Sequence, residues 1–433
     1  MSHLQGVGQR PVKESATGTR PDSGGMLQSW HEYPAFRLLL LGTFATNSAF
    51  WMYQVAVGWL ALQMTDSPFF VGLAGFIGGI PLLVCSLPAG VIIDRYDRRS
   101  ILLVAQVGAM AVSGLFALLV GIDQLAPWSL LVLVALYGTV MSFIFPTRTT
   151  MVPSLVRRED LANGVALNSA GQNATRVIGP SLAGVLIALL GVAQTFAIAA
   201  ALQALALVAT ARLPSVIVET TVRGGTGLTA LTLGLRIVAK TPYLIALITL
   251  ALVPTVLVMP YINLMPVFAR DEYALGSFGL GVLLASTGLG TVAGSLSVAH
   301  SSRLRREPAA QVVTATAFAL GVLLFAITTN VVVAALLLFG AGWMSAAFLA
   351  LNQTALQLTV DEDVRGRVLS IYLLTWGMLP IGQLAVGGLA NAIGTPLALA
   401  CACAIALVGI SIIAWGFPSL RRQERRKPAV GTP

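Results

Sequence analysis

Charge is what this sequence has least of. Asp, Glu, Lys and Arg make up 10% of its 433 residues, while hydrophobic residues make up 56%. A soluble domain carries about 25% charge, so a water-facing surface over the whole molecule is excluded. Cysteine is scarce as well. Cys85, Cys401 and Cys403 lie in apolar stretches, and the last two, two residues apart, point in different directions on a helix. Neither a disulfide framework nor a metal site is expected. His31 and His300 fall at the margins of apolar runs and His3 in the N-terminal tail. The chain has no P-loop, so ATP-driven pumping is not encoded in it. No nucleophile, metal cluster or paired intramembrane carboxylate supports an enzyme, and no cofactor is expected. The N-terminal residues lack the apolar h-region of a cleavable signal peptide. Rich in Gly, Ser, Pro and charge, residues 1–33 are expected to form a disordered cytoplasmic tail.

What is present is a succession of long apolar runs. Crossing about 30 Å of hydrocarbon takes about 20 mostly apolar residues. Such runs fall near 37–63, 69–92, 100–121, 127–149, 162–190, 194–211, 243–268, 277–299, 310–328, 331–357, 367–391 and 396–417. The fold expected is an all-α membrane protein with twelve transmembrane helices in two six-helix bundles, spanning 34–211 and 242–417. The net charge of +9 would point to nucleic acid only if the basic residues formed a patch. Instead they cluster in alternate loops, and no nucleic-acid partner is expected. One side receives the N-terminal tail, Arg95, Arg98, Arg99, Arg157, Arg158, the 212–240 stretch, Arg303, Arg305, Arg306, Arg365, Arg367 and the basic 418–433 tail. The connectors 65–68, 122–126, 191–193 and 328–330 contain no Lys or Arg, which leaves Arg270 as the only basic residue assigned to the other side. Basic loops stay in the cytoplasm, so both termini are expected there. Residues 212–241 read as a cytoplasmic linker, and the helical apolar period of 228–239 predicts a segment on the membrane surface.

An internal repeat supports two halves. Residues 155–191 align without gaps to 358–394, matching Glu159 with Glu362, Asp160 with Asp363, Val165 with Val368, Ile178 with Ile381, Gly179 with Gly382, Gly184 with Gly387 and Gly191 with Gly394. A second register sets Gly72-Leu73 on Gly279-Leu280 and Arg98-Arg99 on Arg305-Arg306. The fifth span therefore corresponds to the eleventh, and the second to the eighth, as in many secondary transporters.

The sharpest motif closes the second span: Gly90, then Asp94, Arg95, Asp97, Arg98 and Arg99. It sets a carboxylate and guanidiniums at a helix end. Asp94 can accept from N–H groups of a neighbouring helix N-terminus or pair with an Arg, so the cluster can latch two halves in one state and release them in another. The alternative is a plain positive-inside anchor. This motif resembles the loop between spans two and three of the major facilitator superfamily. The runs from Gly58 to Arg99, from Pro146 to Gly184 and from Asp363 to Ala390 resemble the bacterial transmembrane-secretion-effector branch, which holds enterobactin-type siderophore exporters and some drug exporters. The resemblance implies that Asp94 meets the cytoplasmic end of the eleventh span near Arg365 and Arg367. Ser301 stands where the second half would repeat Asp94, so such a latch is asymmetric.

A second motif, Arg176, Gly179, Pro180 and Gly184, lies on the fifth span. Small residues let a neighbouring backbone approach, and Pro180 invites a kink. The eighth span offers Gly288, Gly290, Ala293 and Gly294 as partners. The run resembles the antiporter motif of drug-efflux facilitators, except that Val185 replaces its last Gly; a simple packing seam is the other reading. Asn168, Gln172 and Arg176 recur every four residues as one polar stripe. An isolated mid-membrane Arg costs roughly 2.5–3.5 kcal/mol, so Arg176 is expected either to border a polar cavity or to be satisfied by carbonyls and amides inside the bundle. Further cavity candidates are Asn47, Trp51 and Gln54 on the first span, Thr255, Met259 and Asn263 on the seventh, Asn352, Gln353 and Gln357 on the tenth, and Tyr372, Trp376 and Gln383 on the eleventh. In the facilitator fold, spans one, four, seven and ten surround the cavity. Aromatics mixed with amides suit an amphipathic organic molecule better than a small ion.

All 17 acidic residues fall outside the centres of the spans, so proton coupling is implied by the resemblance alone. Glu159-Asp160 and Asp361-Glu362-Asp363 read first as N-caps, second as parts of a cytoplasmic gate with Arg148 or Arg367. The function expected is export of a siderophore or drug across the bacterial inner membrane by alternating access, by a monomer whose partners are its substrate, the bilayer and protons. An importer of the same fold and a non-transporting receptor or assembly factor are the alternatives.

Overall fold

The computed structural model describes residues 28–214, 227–301, 307, 309–360 and 362–420, and all of their regular structure is helical. The helices are α1 (Gln28–Glu32), α2 (Pro34–Thr65), α3 (Pro68–Arg95), α4 (Arg98–Gly121), α5 (Pro127–Leu155), α6 (Leu161–Leu190), α7 (Val192–Ala211), α8 (Gly227–Lys240), α9 (Pro242–Leu257), α10 (Tyr261–Val267), α11 (Gly276–His300), α12 (Ala309–Ile327), α13 (Val331–Thr359), α14 (Glu362–Gly377), α15 (Leu379–Ile393) and α16 (Thr395–Gly416).

Local chemistry sets many of the boundaries. Pro34, Pro68, Pro127 and Pro242 occupy first helical positions, where the missing N–H costs nothing. Asp97 caps α4 by accepting from Ser100 N at 2.9 Å, and Asn330 caps α13 by accepting from Val332 N at 2.9 Å. The repeated glycines Gly191 and Gly394 end α6 and α15 with φ of 98° and 86°, a backbone that a side chain would strain.

Among the described residues, eleven segments are long and apolar enough to cross a membrane, and α2, at 32 residues, is not one of them. Its polar side chains Thr43, Thr46, Asn47 and Ser48 lower its hydropathy, yet they are buried against the helices around it. Two expected spans are broken. The seventh runs as α9, a break at 258–260, α10 and a π turn over Phe268–Glu272. Pro260 has no N–H to continue the ladder, and Val258 N and Met259 N both turn to Pro254 O, at 2.9 and 2.8 Å. The eleventh begins at Glu362, not 367, and breaks at Met378, two residues before Pro380.

Helices α2 to α7 pack as one bundle and α9 to α16 as another. In the first, Tyr53 stacks on Tyr137 at 3.7 Å and Phe116 on Phe196 at 4.7 Å, tying α2, α4, α5 and α7 together. The bundles meet along two equivalent pairs, α6 with α11 and α3 with α15, and α10 adds contacts to α2 and α3. The equivalence follows the repeat, since the fifth and eleventh spans face the eighth and second. The linker helix α8 lies against α14: a methyl at Gly234 would sit 2.9 Å from Arg367 O and 3.0 Å from Ile371 Cδ1. Gly234 and Val238 are thus buried on the protein side, while Leu233 and Leu235 stay exposed, as a segment on the membrane surface would leave them. Residues 28–33, expected within a disordered tail, carry α1, while 1–27 and 421–433 lie outside the described residues.

Candidate substrate cavity and gates

Arg176 sits between the bundles. Its guanidinium lies 5.8 Å from the ring centroid of Trp51 on α2 and 5.9 Å from that of Trp376 on α14, one ring from each half. The side chain remains exposed. It is thus an exposed cation flanked by one indole from each half. Ring faces attract such a cation by about 0.5–2 kcal/mol, which favours its place between the two indoles. Gln172 is half-buried one turn away, and Asn168 is buried. Asn47 is buried, and Gln54 and Met259 are half-buried.

The antiporter-like motif divides its contacts. Gly179 faces α2, where a methyl would lie 2.6 Å from Trp51 Cβ. Gly184 faces the other half, where a methyl would collide with Gly281 Cα and N. The equivalent seam joins Gly387 to Gly72, whose added methyl would lie 2.5 Å from Gln383 O and 3.0 Å from Gly387 Cα. Pro180 is buried between these contacts. Asn263 donates from Nδ2 to Val71 O at 3.0 Å, so it ties α10 to α3 as well as bordering the space. Gln383 approaches the same point on α3, above Gly75.

The end of the molecule opposite the start of α2 and the end of α16 carries an ion pair that the sequence reading missed. Arg270 donates from its guanidinium to Asp66 Oδ1 at 2.7 Å and Leu62 O at 3.2 Å in the first half, and to Asp271 Oδ1 at 2.6 Å beside it. The signal was present: a single basic residue on that side, with Asp66 at the matching margin. Ser67 Oγ and Asn391 Oδ1, 3.0 Å apart, add a second tie between halves at the same end. Asp66 is 79% exposed, and such pairs contribute about 0.2–1 kcal/mol. Replacing Arg270 with Gln is therefore expected to shift the open-to-closed population of this end by no more than about fivefold, more at low salt. Spin-label distances across the two connectors measure it; an unchanged population means the pair is not a gate element.

At the other end, Arg98 donates to Thr150 O at 2.7 Å, and Arg99 donates to Ala211 O. Both bonds stay within the first half and staple α4 to the ends of α5 and α7. Gly90 has open space around it, and Asp94 and Arg95 are exposed at the end of α3. The side chain of Arg365 lies outside the described residues, and Arg367 meets the linker helix through its carbonyl. Asp160 stands at the N-cap position of α6 without a capping bond; it accepts instead from Tyr33 Oη at 2.5 Å, docking the N-terminal segment. Burial first, and this carboxylate second, push the Tyr33 phenol up, which keeps it a donor. Glu159 pairs with Arg157 at 3.6 Å.

A second arginine inside the fold was underrated by sequence. Arg148 on α5 is 4% exposed and donates to Thr46 Oγ1 at 3.0 Å, Thr43 Oγ1 at 3.2 Å and Leu39 O at 3.3 Å. These bonds end on neutral oxygens of α2. Of the remaining candidates, Asn352 is buried and donates to Leu247 O at 3.0 Å within its half, and Tyr372 is buried one turn from Trp376. Gln353 is exposed.

Two similar bundles joined by small-residue seams, with an exposed arginine flanked by an indole of each, describe a transporter fold. The family model of the transmembrane secretion effector matches residues 29–427. The chain belongs to that family. Members in Salmonella typhi and in Escherichia coli O81 carry the name enterobactin exporter EntS. The first is 27% identical over 405 residues, covering 92% of this chain and 95% of the relative. The second is 27% identical over 394 residues, covering 88% and 91%. Among solved structures, the nucleoside transporter NupG superposes with a TM-score of 0.67 at 13% identity, covering 89% of this chain and 99% of that one. A bacterial homolog of the human lysosomal transporter Spinster gives 0.70 at 14%, covering 90% and 99%. The family member described here is thus a multi-pass membrane transporter of the major facilitator type.

Proposed function

We propose that this transporter exports a small amphipathic organic compound, a siderophore or drug, across the bacterial inner membrane by alternating access, with protons as the coupling ion. In this reading α2 also crosses the membrane and brings the spans to twelve, both termini are cytoplasmic, and the Arg270 end faces outward. The observation that carries it is Arg176, exposed between Trp51 and Trp376 of opposite halves. A cation between two ring faces can receive a flat or anionic group and feel the movement of both halves. Ties between halves at the outer end, from Arg270 to Asp66 and from Asn263 to Val71, support a state open toward the cytoplasm, where an exporter loads. The names of the relatives favour export over import.

The test is a panel of siderophores and drugs in a strain lacking its own exporters, followed as cellular retention with and without a collapsed proton gradient. Expression is expected to lower retention of at least one compound only while the gradient stands. Arg176→Gln is expected to slow that export by about tenfold, the equivalent of ~1.4 kcal/mol, at unchanged protein level. Retention unaffected across the panel overturns export, and full activity of Arg176→Gln removes this residue from the mechanism.

A further inference from the structure

A groove of about 350 Å³ opens on the outer surface of the first bundle, between α2 and α7. Its walls are Leu38, Leu41, Phe44 and Ala45 on one side and Leu202, Leu205, Val208 and Ala209 on the other, and Arg212 closes one end. Leu41, Leu205 and Val208 are exposed to whatever surrounds the bundle. Two features set this groove apart from an ordinary lipid-facing seam. Each wall is a helical stripe that ends in a guanidinium at the same end of the molecule. On α2 the stripe runs Arg37, Leu41, Ala45; on α7 it runs Leu205, Val208 or Ala209, Arg212. Arg99 reaches the same end of α7 through its bond to Ala211 O. From Arg37 to Ala45 is eight residues, about 12 Å of helix, close to one leaflet of a hydrocarbon layer about 30 Å thick.

We infer that this groove is a binding site for one anionic phospholipid of the leaflet on the termini side, with an acyl chain between α2 and α7 and the phosphate on Arg37 and Arg212. The leaflet is the cytoplasmic one in the reading proposed above, but the site itself does not depend on what the protein transports. Basic residues near a membrane surface favour an anionic lipid by about 1 kcal/mol each, a factor of about five.

Native mass spectrometry of the purified full-length protein, delipidated and then titrated with phosphatidylglycerol or phosphatidylcholine, tests this. One phosphatidylglycerol is expected to be retained well above phosphatidylcholine. Arg37→Gln and Arg212→Gln are each expected to lower its retention about fivefold, and Arg212→Lys is expected to hold it. Leu205→Trp, which fills the groove from an exposed position, is expected to remove the bound lipid of either kind. Equal retention of the two lipids, or retention indifferent to the arginines and to Leu205→Trp, overturns the assignment. Neither result bears on the export assay, so the two readings fail separately.

Discussion

Gly184→Leu is expected to abolish transport while leaving a protein that still inserts into the membrane. At Gly184 even a methyl meets the backbone of Gly281, and Gly281 in turn has room only 3.1 Å from Ser181 O for a methyl of its own. Side chains at the far ends of flexible stems can move aside; backbone cannot. Overpacking by one or a few methylenes costs about 1–3 kcal/mol, and a loss of 3 kcal/mol in the closed seam lowers its population about 150-fold. Most helix packing lies within each bundle, so the change should fall on the join. Gly387→Leu, in the equivalent seam, should behave alike, because a methyl there lies 2.9 Å from Gly72 Cα and 3.0 Å from Pro68 O. Transport assays together with cysteine cross-linking across α6 and α11 measure both consequences. Wild-type transport by Gly184→Leu at normal expression contradicts a seam that must close.

The second large effect is expected at Arg148. An isolated arginine inside a membrane protein costs about 2.5–3.5 kcal/mol, and the three bonds to α2 return about 1.5–3 kcal/mol each at most, less where geometry is long. With two of the three bonds long, their sum lies at the low end and exceeds the cost by about 1 kcal/mol, a small net contribution. Arg148→Met, which keeps the stem and removes the charge, should therefore melt within a few degrees of wild type. Its transport should fall to background, because the guanidinium couples α5 to α2. A variant that loses both stability and transport assigns Arg148 to structure alone; one that keeps both removes it from the mechanism.

The sequence was most legible where one local rule decided the outcome. Apolar run length placed nearly every helix, and the gap-free repeat anticipated the seams: Gly184 and Gly387, matched in the repeat, each press against the other half, while Gly191 and Gly394 each end a helix with positive φ. The stripe from Asn168 to Arg176 pointed to an arginine that stands between Trp51 and Trp376 of opposite halves. Contacts between distant loops were less legible. Arg270 was visible as the odd charge on its side, but nothing in one-dimensional spacing joins residue 270 to residue 66. The polar residues of α2 also worked against length and hydropathy, because a helix walled in by its neighbours need not be apolar all round. Asp160 shows the limit of a capping rule: its carboxylate had a better offer from Tyr33 than from the first turn of its own helix.

The break at Met378 divides the labour of one helix. Beyond it, α15 carries Gly382 and Gly387, pressed backbone to backbone against α9 and α3; before it, α14 carries Trp376 at the cavity and meets the linker helix at Arg367. A straight rod would have to drag the ring and the seam together. A jointed one works like a door whose pin stays in the frame: the leaf bearing Trp376 can swing, with α8 as its handle, while the pin remains seated.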